Sequence, residues 1–343
     1  RDGQVLGNVT VGPTDVHPSP SRGNYESTFN VVLPDDWLTG EVTLTARIDA
    51  DNQIPEFDET NNTVTAAATF HDVPALDLKL VPINYTHTPT GGYYPYYPDN
   101  NDEIVEYLMG IFPLHEINVS YRSPIYYSGN LSTAYGWEAM VTHLANLKVA
   151  DGSPSSQVYY GLAARTNASG GSYSPYFWGW GFIGFRASAG LIEYAGRIAS
   201  HELGHNFGRL HSPCGTTSVL DPDFPYASAS IGEYGLDVFN EQLWAPGPPQ
   251  NTKDLMSYCD PQWISDYNYR AVFHDQVANG DESPPAPIDG LFVRATFDES
   301  GEPVLQPAYR LVTPPTTAAP ESDYRLALIG PNGGTVAEHR IPG

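Results

Sequence analysis

The eleven residues His201-Glu-Leu-Gly-His-Asn-Phe-Gly-Arg-Leu-His211 have the types and spacing that hold a divalent metal. On a helix, His201 and His205 fall on one face, about 6 Å apart along the axis. Two imidazoles placed in this way can reach one ion at about 2.0–2.1 Å. Glu202 lies one step around the helix, where its carboxylate can meet a water on the metal without ligating the metal itself. Gly208 comes where the helix must stop and turn, and glycine tolerates the positive φ that such a turn demands. The chain then reverses and offers His211 as a third ligand. Three neutral ligands leave a fourth position for water, which a catalytic zinc needs and a closed structural site lacks. In that arrangement Glu202 is the general base. The remaining histidines, at 17, 71, 87, 115, 143, 274 and 339, fit no ligand spacing.

Asp254-Leu-Met-Ser-Tyr-Cys259 follows downstream. His201, Glu202, His205, Gly208 and His211, with Met256 45 residues further on, resemble the metzincin clan of zinc endopeptidases. The resemblance extends over about residues 75–280. It implies one zinc per chain, peptide-bond hydrolysis, and a hydrophobic floor under the histidines made by Met256. Tyr258 matches the Tyr that several metzincin families place near the zinc, where it ligates the resting metal or donates to a developing oxyanion. Within the clan the signals divide. Ser212 resembles the matrix-metalloprotease pattern, and Met-Ser-Tyr resembles the serralysin and astacin style. Cys214 lies three residues after His211 and Cys259 three after Met256, so the two flank the metal shell from opposite sides. A disulfide between them would staple those loops and imply an oxidising compartment. Two buried free thiols, or a second metal site, are the alternatives. The clan binds extended substrate along an edge strand, and the Gly- and aromatic-rich segment Tyr173–Phe185 is expected to supply it by β-augmentation. Trp263 and Tyr267, in the segment after the methionine turn, are expected to wall the pocket beyond the scissile bond.

Elements that position this constellation are legible on either side of it. Leu76–Ile83, Glu116–Tyr121 and Gln157–Ala163 read as strands. Asp102–Phe112, Gly136–Val149 and about Leu191–Phe207 read as helices, with a closing helix at Tyr267–Ala278. Strands alternating with helices indicate an α/β layer. The expected fold class is an α/β metzincin catalytic domain, a mixed twisted sheet with the active-site helix and a small C-terminal subdomain, flanked by β-sandwich-like modules. Residues 1–72 form the first module, with alternating strands at Phe29–Leu33, Glu41–Asp49 and Thr63–Phe70. Its stretch Asp51–Asn62 resembles the closing hairpin of CARDB-type, immunoglobulin-like modules. That acidic loop could hold Ca²⁺, but a solvated turn with Asx hydrogen bonds is the favoured reading. Residues 75–282 form the catalytic domain. Residues 287–343 form a C-terminal β module with hairpins around Asp298–Glu302 and Pro331–Gly334.

The bulk properties narrow the function classes. A formal net charge of −24 with only three lysines repels nucleic acid and anionic membranes. No apolar run approaches the roughly 20 residues that span a bilayer. The start at Arg1-Asp-Gly, without an initiator Met or a signal peptide, reads as a mature protein or an excised fragment. Acidity with few lysines suggests export, to a secreted or cell-surface location. Six Asn-x-Ser/Thr sequons, at Asn8, Asn61, Asn84, Asn118, Asn130 and Asn167, matter only in a glycosylating source. The leading expectation is a secreted zinc endopeptidase acting on extracellular proteins. A glycoprotein-directed protease with carbohydrate- or surface-binding modules, and a non-catalytic adhesion protein on a protease fold, are the alternatives.

Overall fold

The computed structural model of the chain describes residues 4–10, 24–25, 28–97, 101–216 and 218–281, and beyond them 288–292, 295–297, 303–305, 309–313, 321–329 and 334–342. The chain divides into two compact units, residues 1–283 and 284–343. Among the described residues no helix is long and apolar enough to cross a membrane.

The first unit opens with an antiparallel ladder of β1 (Gly40–Arg47) and β2 (Thr63–Phe70), in register from Gly40 opposite Phe70 to Arg47 opposite Thr63. The loop between them closes on its own acidic side chains. The Asp49 carboxylate accepts the N–H groups of Gln53 and Ile54 at 2.9 and 2.8 Å, and Asp58 accepts that of Thr60 at 2.9 Å. These are the Asx-type bonds expected of a solvated turn. Phe29–Leu33, expected as a strand, is irregular backbone. Phe29, Val31 and Val32 stand exposed, at 55%, 43% and 93%, and among the described residues the segment joins no ladder.

The core is a seven-stranded mixed sheet. β3 (Leu76–His87) runs through its centre and is longer than the expected Leu76–Ile83. Along one edge it pairs in parallel with β5 (Ile117–Tyr121) and then with β6 (Ile125–Gly129). It also pairs in parallel with β7 (Val158–Ala163), and its end meets the short antiparallel β4 (Gly92–Tyr94). β7 pairs in parallel with β9 (Ala187–Leu191), and β8 (Gly179–Gly181) closes the sheet as an antiparallel edge. Every residue of β7 and β9 is buried, as central parallel strands require.

Successive residues of these strands face opposite helices. A methyl at Gly161 would strike Leu144 of α2 (Ala134–Ala150), while one at Gly190 would strike Ile198 of α3 (Ala195–Asn206). Thus α2 covers one face and α3 the other. Trp137, Met140, Val141 and Leu144 supply the buried stripe of α2, and Thr133 caps it by accepting the Gly136 N–H at 3.0 Å. α1 (Asn101–Ile111) packs on α3, so close that a methyl at Gly196 would meet the Glu103 carbonyl at 2.7 Å. The helix expected from Leu191 starts four residues later. Leu191 ends a fully buried strand held between β7 and β8, and Tyr194, at φ +60°, turns the chain into the helix.

After α3 come the short antiparallel pair β10 (Gly235–Asp237) and β11 (Gln242–Trp244), and the parallel pair β12 (Lys253–Asp254) and β13 (Gln262–Trp263). α4 (Asp266–Asp281) ends the unit. In the second unit, β14 (Ile288–Phe292) pairs with β17 (Tyr309–Thr313), β15 (Ala295–Phe297) with β16 (Pro303–Leu305), and β18 (Glu321–Ile329) with β19 (Thr335–Pro342), all antiparallel. The expected turns at Asp298–Glu302 and Pro331–Asn332-Gly333 lie outside the described residues.

Candidate metal centre

α3 carries His201 and His205 one turn apart, and Gly208, at φ +80°, reverses the chain so that His211 meets them. Each imidazole is pinned from behind. The Nδ1 atoms of His201, His205 and His211 lie 2.8, 2.8 and 2.7 Å from the carbonyls of Leu255, Arg209 and Ser218. A carbonyl can only accept, so Nδ1 carries the proton in all three rings and the Nε2 lone pairs are free. One ligand atom from each ring lies within 4.8 Å of the others, and Nε2 of His205 is 3.1 Å from Nε2 of His211. Two nitrogens on one tetrahedral zinc stand about 3.3 Å apart. Burial first, and mutual repulsion second, push His201 down to about 3; His205 lies well below its ordinary range, and His211 is lowered by burial too. The rings are therefore neutral and ready to ligate. A neutral, all-imidazole set with fixed tautomers fits zinc.

Glu202 points from the same helix under the edge strand. A Cβ at Gly179 would lie 2.6 Å from Glu202 Oε1, and one at Gly181 would lie 3.2 Å from Oε2 and 2.6 Å from the Glu202 carbonyl. Residues two apart share one face of a strand, so the Gly-Trp-Gly of β8 opens that face to the glutamate. The Gly181 N–H donates to the carboxylate, but burial outweighs it and raises Glu202 well above the ordinary carboxylate range.

The methionine turn lies beneath. Met256 is 1% exposed, and a Cβ at Gly204 would lie 2.4 Å from its sulfur, so only glycine lets the helix settle this low on it. Fully buried Asp254 organises the turn. Its carboxylate accepts the Met256 N–H at 2.8 Å, Ser212 Oγ at 2.6 Å, Asn268 Nδ2 at 2.8 Å and the Ser265 N–H at 2.8 Å. It thereby ties the neighbour of the third histidine to the turn and to the start of α4. The Ser212 N–H donates to the Met256 carbonyl at 3.0 Å, and the Tyr258 N–H to that of Cys214 at 2.9 Å. Cys214 and Cys259 are disulfide-bonded across the same seam. The Tyr258 ring lies 5.6 and 5.0 Å from the rings of His201 and His211. Its phenol is raised by burial, and further by the Glu202 charge.

The structure thus brings together His201, Glu202, His205, Gly208, His211, Met256, Tyr258, Cys214 and Cys259. Trp263 and Tyr267 make other contacts. Trp263 is buried, stacks on Trp244 at 5.8 Å, and would be struck by any Cβ at Gly235. Tyr267 donates to Asp221 at 3.1 Å and packs its ring edge-on to Phe224. Sequence reasoning missed Asp254, the three carbonyls behind the histidines, and the glycine pair of β8. The Gly-x-Gly spacing was a readable signal for the last of these, whereas backbone carbonyls leave no mark on a sequence.

A helix-borne histidine pair, a third histidine after a glycine turn and a buried glutamate beside them are the parts of a metal-dependent hydrolase. The chain belongs to the Peptidase M66 family, whose profile matches residues 108–287, and it carries a CARDB domain matched over residues 2–66. It is 24% identical over 315 residues to dictomallein of Burkholderia mallei (strain SAVP1), and equally to that of Burkholderia pseudomallei (strain K96243). Those alignments cover 84% of this chain and 43% of the relatives, so the chain spans less than half their length. The family is one of peptidases, and His201, His205 and His211 form a group that could hold a metal ion.

Proposed function

We propose that the chain is a zinc-dependent endopeptidase of metzincin type, holding one zinc through Nε2 of His201, His205 and His211. The observation that carries this reading is the convergence of three Nε2 atoms whose Nδ1 partners are all backbone carbonyls. When bound, zinc supplies Lewis acidity and a water acidified toward neutral pH. Glu202, its carboxyl raised by burial, takes the proton of the attacking water and passes it to the leaving amine. The Tyr258 hydroxyl, held neutral by its raised pKa, is placed to donate to the oxygen that gains charge. β8, an edge strand of the sheet, is where an extended substrate would add as a further strand. Trp263 and Tyr267 brace the loops around the ligands, which their packing favours over a pocket wall. The disulfide supports an oxidising, extracellular setting, and with it extracellular protein substrates.

The test is Glu202→Ala. Zinc content should stay at one per chain while peptidase activity on a generic unfolded protein falls about 10²- to 10⁴-fold. A variant within tenfold of the parent would assign the base to another group.

A further inference from the structure

The centre leaves one buried polar group without a use. Tyr160 on β7 is fully buried, and its hydroxyl has no hydrogen-bond partner. Such a group costs free energy, so its position asks for a reason. β8 and β9 set Gly179 directly opposite Gly190. On the α3 face, a Cβ at Gly190 would lie 2.2 Å from the Tyr160 hydroxyl and 2.6 Å from Ile198 Cγ2. A Cβ at Gly179 would lie 2.6 Å from Glu202 Oε1 and 2.8 Å from the same Ile198 methyl. Directly opposed residues stand about 4.5–5.5 Å apart. The two missing methyl groups therefore leave one slot, roofed by Ile198, which the phenol enters over Gly190 and the carboxylate over Gly179. The Gly181 N–H holds the carboxylate from the far side. After burial, the charge of Glu202 is what raises the Tyr160 phenol further.

We propose that Tyr160 is a positioning residue for the general base, its hydroxyl donating to Oε1 of Glu202 through one water held in the glycine slot. With Gly181 on one side and Tyr160 on the other, the carboxylate keeps its plane toward the metal while it gains and loses the proton. This rests on the peptidase reading only in taking Glu202 as the base.

The experiment is Tyr160→Phe in the zinc-loaded full chain. Zinc content, melting temperature and KM should be unchanged, and kcat should fall about 3- to 10-fold, the worth of one hydrogen bond. A binding arm uses acetohydroxamate, whose hydroxyl takes the place of the attacking water. Its affinity should fall on Tyr160→Phe in the parent, and should not fall further in a Glu202→Gln background. An unchanged kcat, or an equal loss of hydroxamate affinity in both backgrounds, overturns the proposal. So does a variant that no longer folds, since the hydroxyl would then be holding the strand rather than the base. The binding arm needs no turnover, so a chain that cleaves nothing would refute the peptidase reading and leave this arm to decide.

Discussion

Among the described residues, two places gather three potential metal ligands. His201, His205 and His211 form one, and Asp49, Glu56 and Glu59 of the N-terminal hairpin form the other. In both, the ligand atoms lie within 4.8 Å of one another. They differ in what stands behind the ligands. Each histidine is locked by a carbonyl, two of the three are buried, and a buried methionine supports the helix from below. The carboxylates of the hairpin are turned inward to their own loop, Asp49 accepting two backbone N–H groups and Glu59 taking the Glu56 N–H and the Asn62 amide. One cluster has its Nε2 lone pairs free; in the other, Asp49 and Glu59 already use their oxygens to close a turn. Proximity alone does not make a metal centre, and the surrounding scaffold decides.

The sharpest way to break this comparison is to remove ligands from each place in turn. His205→Ala should abolish stoichiometric zinc, while the triple change of Asp49, Glu56 and Glu59 to Ala should leave zinc content as it was. Metal analysis after dialysis against zinc reads both, and zinc lost from the hairpin variant would put a second metal in the first module.

Loosening the scaffold without touching a ligand should cost next most. Trp263 forms the strand partner of Asp254, and Trp263→Ala should destabilise the chain by about 3–5 kcal/mol. Zinc affinity should fall with it and the cleavage pattern should not move. A well-folded variant that cleaves after different residues would return Trp263 to the pocket wall.

Protons should act on the buried cluster in a definite direction. The three histidines are held below their ordinary value of 6.5, His201 down to about 3. Below about 6.5 the unfolded chain takes up protons that the folded chain refuses. Their contribution is therefore complete above 6.5 and is lost as pH falls toward the folded values, at about 1.4 kcal/mol per proton per unit. Glu202, shifted upward, opposes this for one proton. Metal-free protein should melt lower at about pH 5.5 than at about pH 7.5. Equal melting temperatures would mean that the imidazoles are not desolvated as described.

The smallest effect expected is at the floor. Gly204→Ala must push Met256 aside and should cost about 1–3 kcal/mol with weaker zinc binding. An unchanged melting temperature would show that the turn can give way.

The comparison also explains what could be read from the sequence. The three histidines and Glu202 were legible because their spacing and side-chain chemistry are local, whereas Met256 and Tyr258 were legible through their match to the metzincin pattern. The α/β layer was legible from Val158–Ala163 and the stripe of α2. Two things were not. The stop at Leu191 depends on strands that flank it in space, so a run that looks helical is captured by the sheet. The short strands β6 and β10–β13 have too few residues to establish a period, and owe their form to the partners they meet. Asp254 stood in plain sight two residues before Met256, yet an aspartate in a turn gives no sign that four donors converge on it.

The glycines of the centre have a consequence for how the protein tolerates change. Gly179, Gly181, Gly190 and Gly204 are places where added atoms would collide with Glu202, Tyr160 or Met256. None of them carries a side chain. In a saturation mutagenesis screen scored for zinc-dependent cleavage, the map of intolerant positions should therefore be drawn as much by these four vacancies as by the ligands themselves. The outline of the reactive centre would be readable from the side chains it forbids.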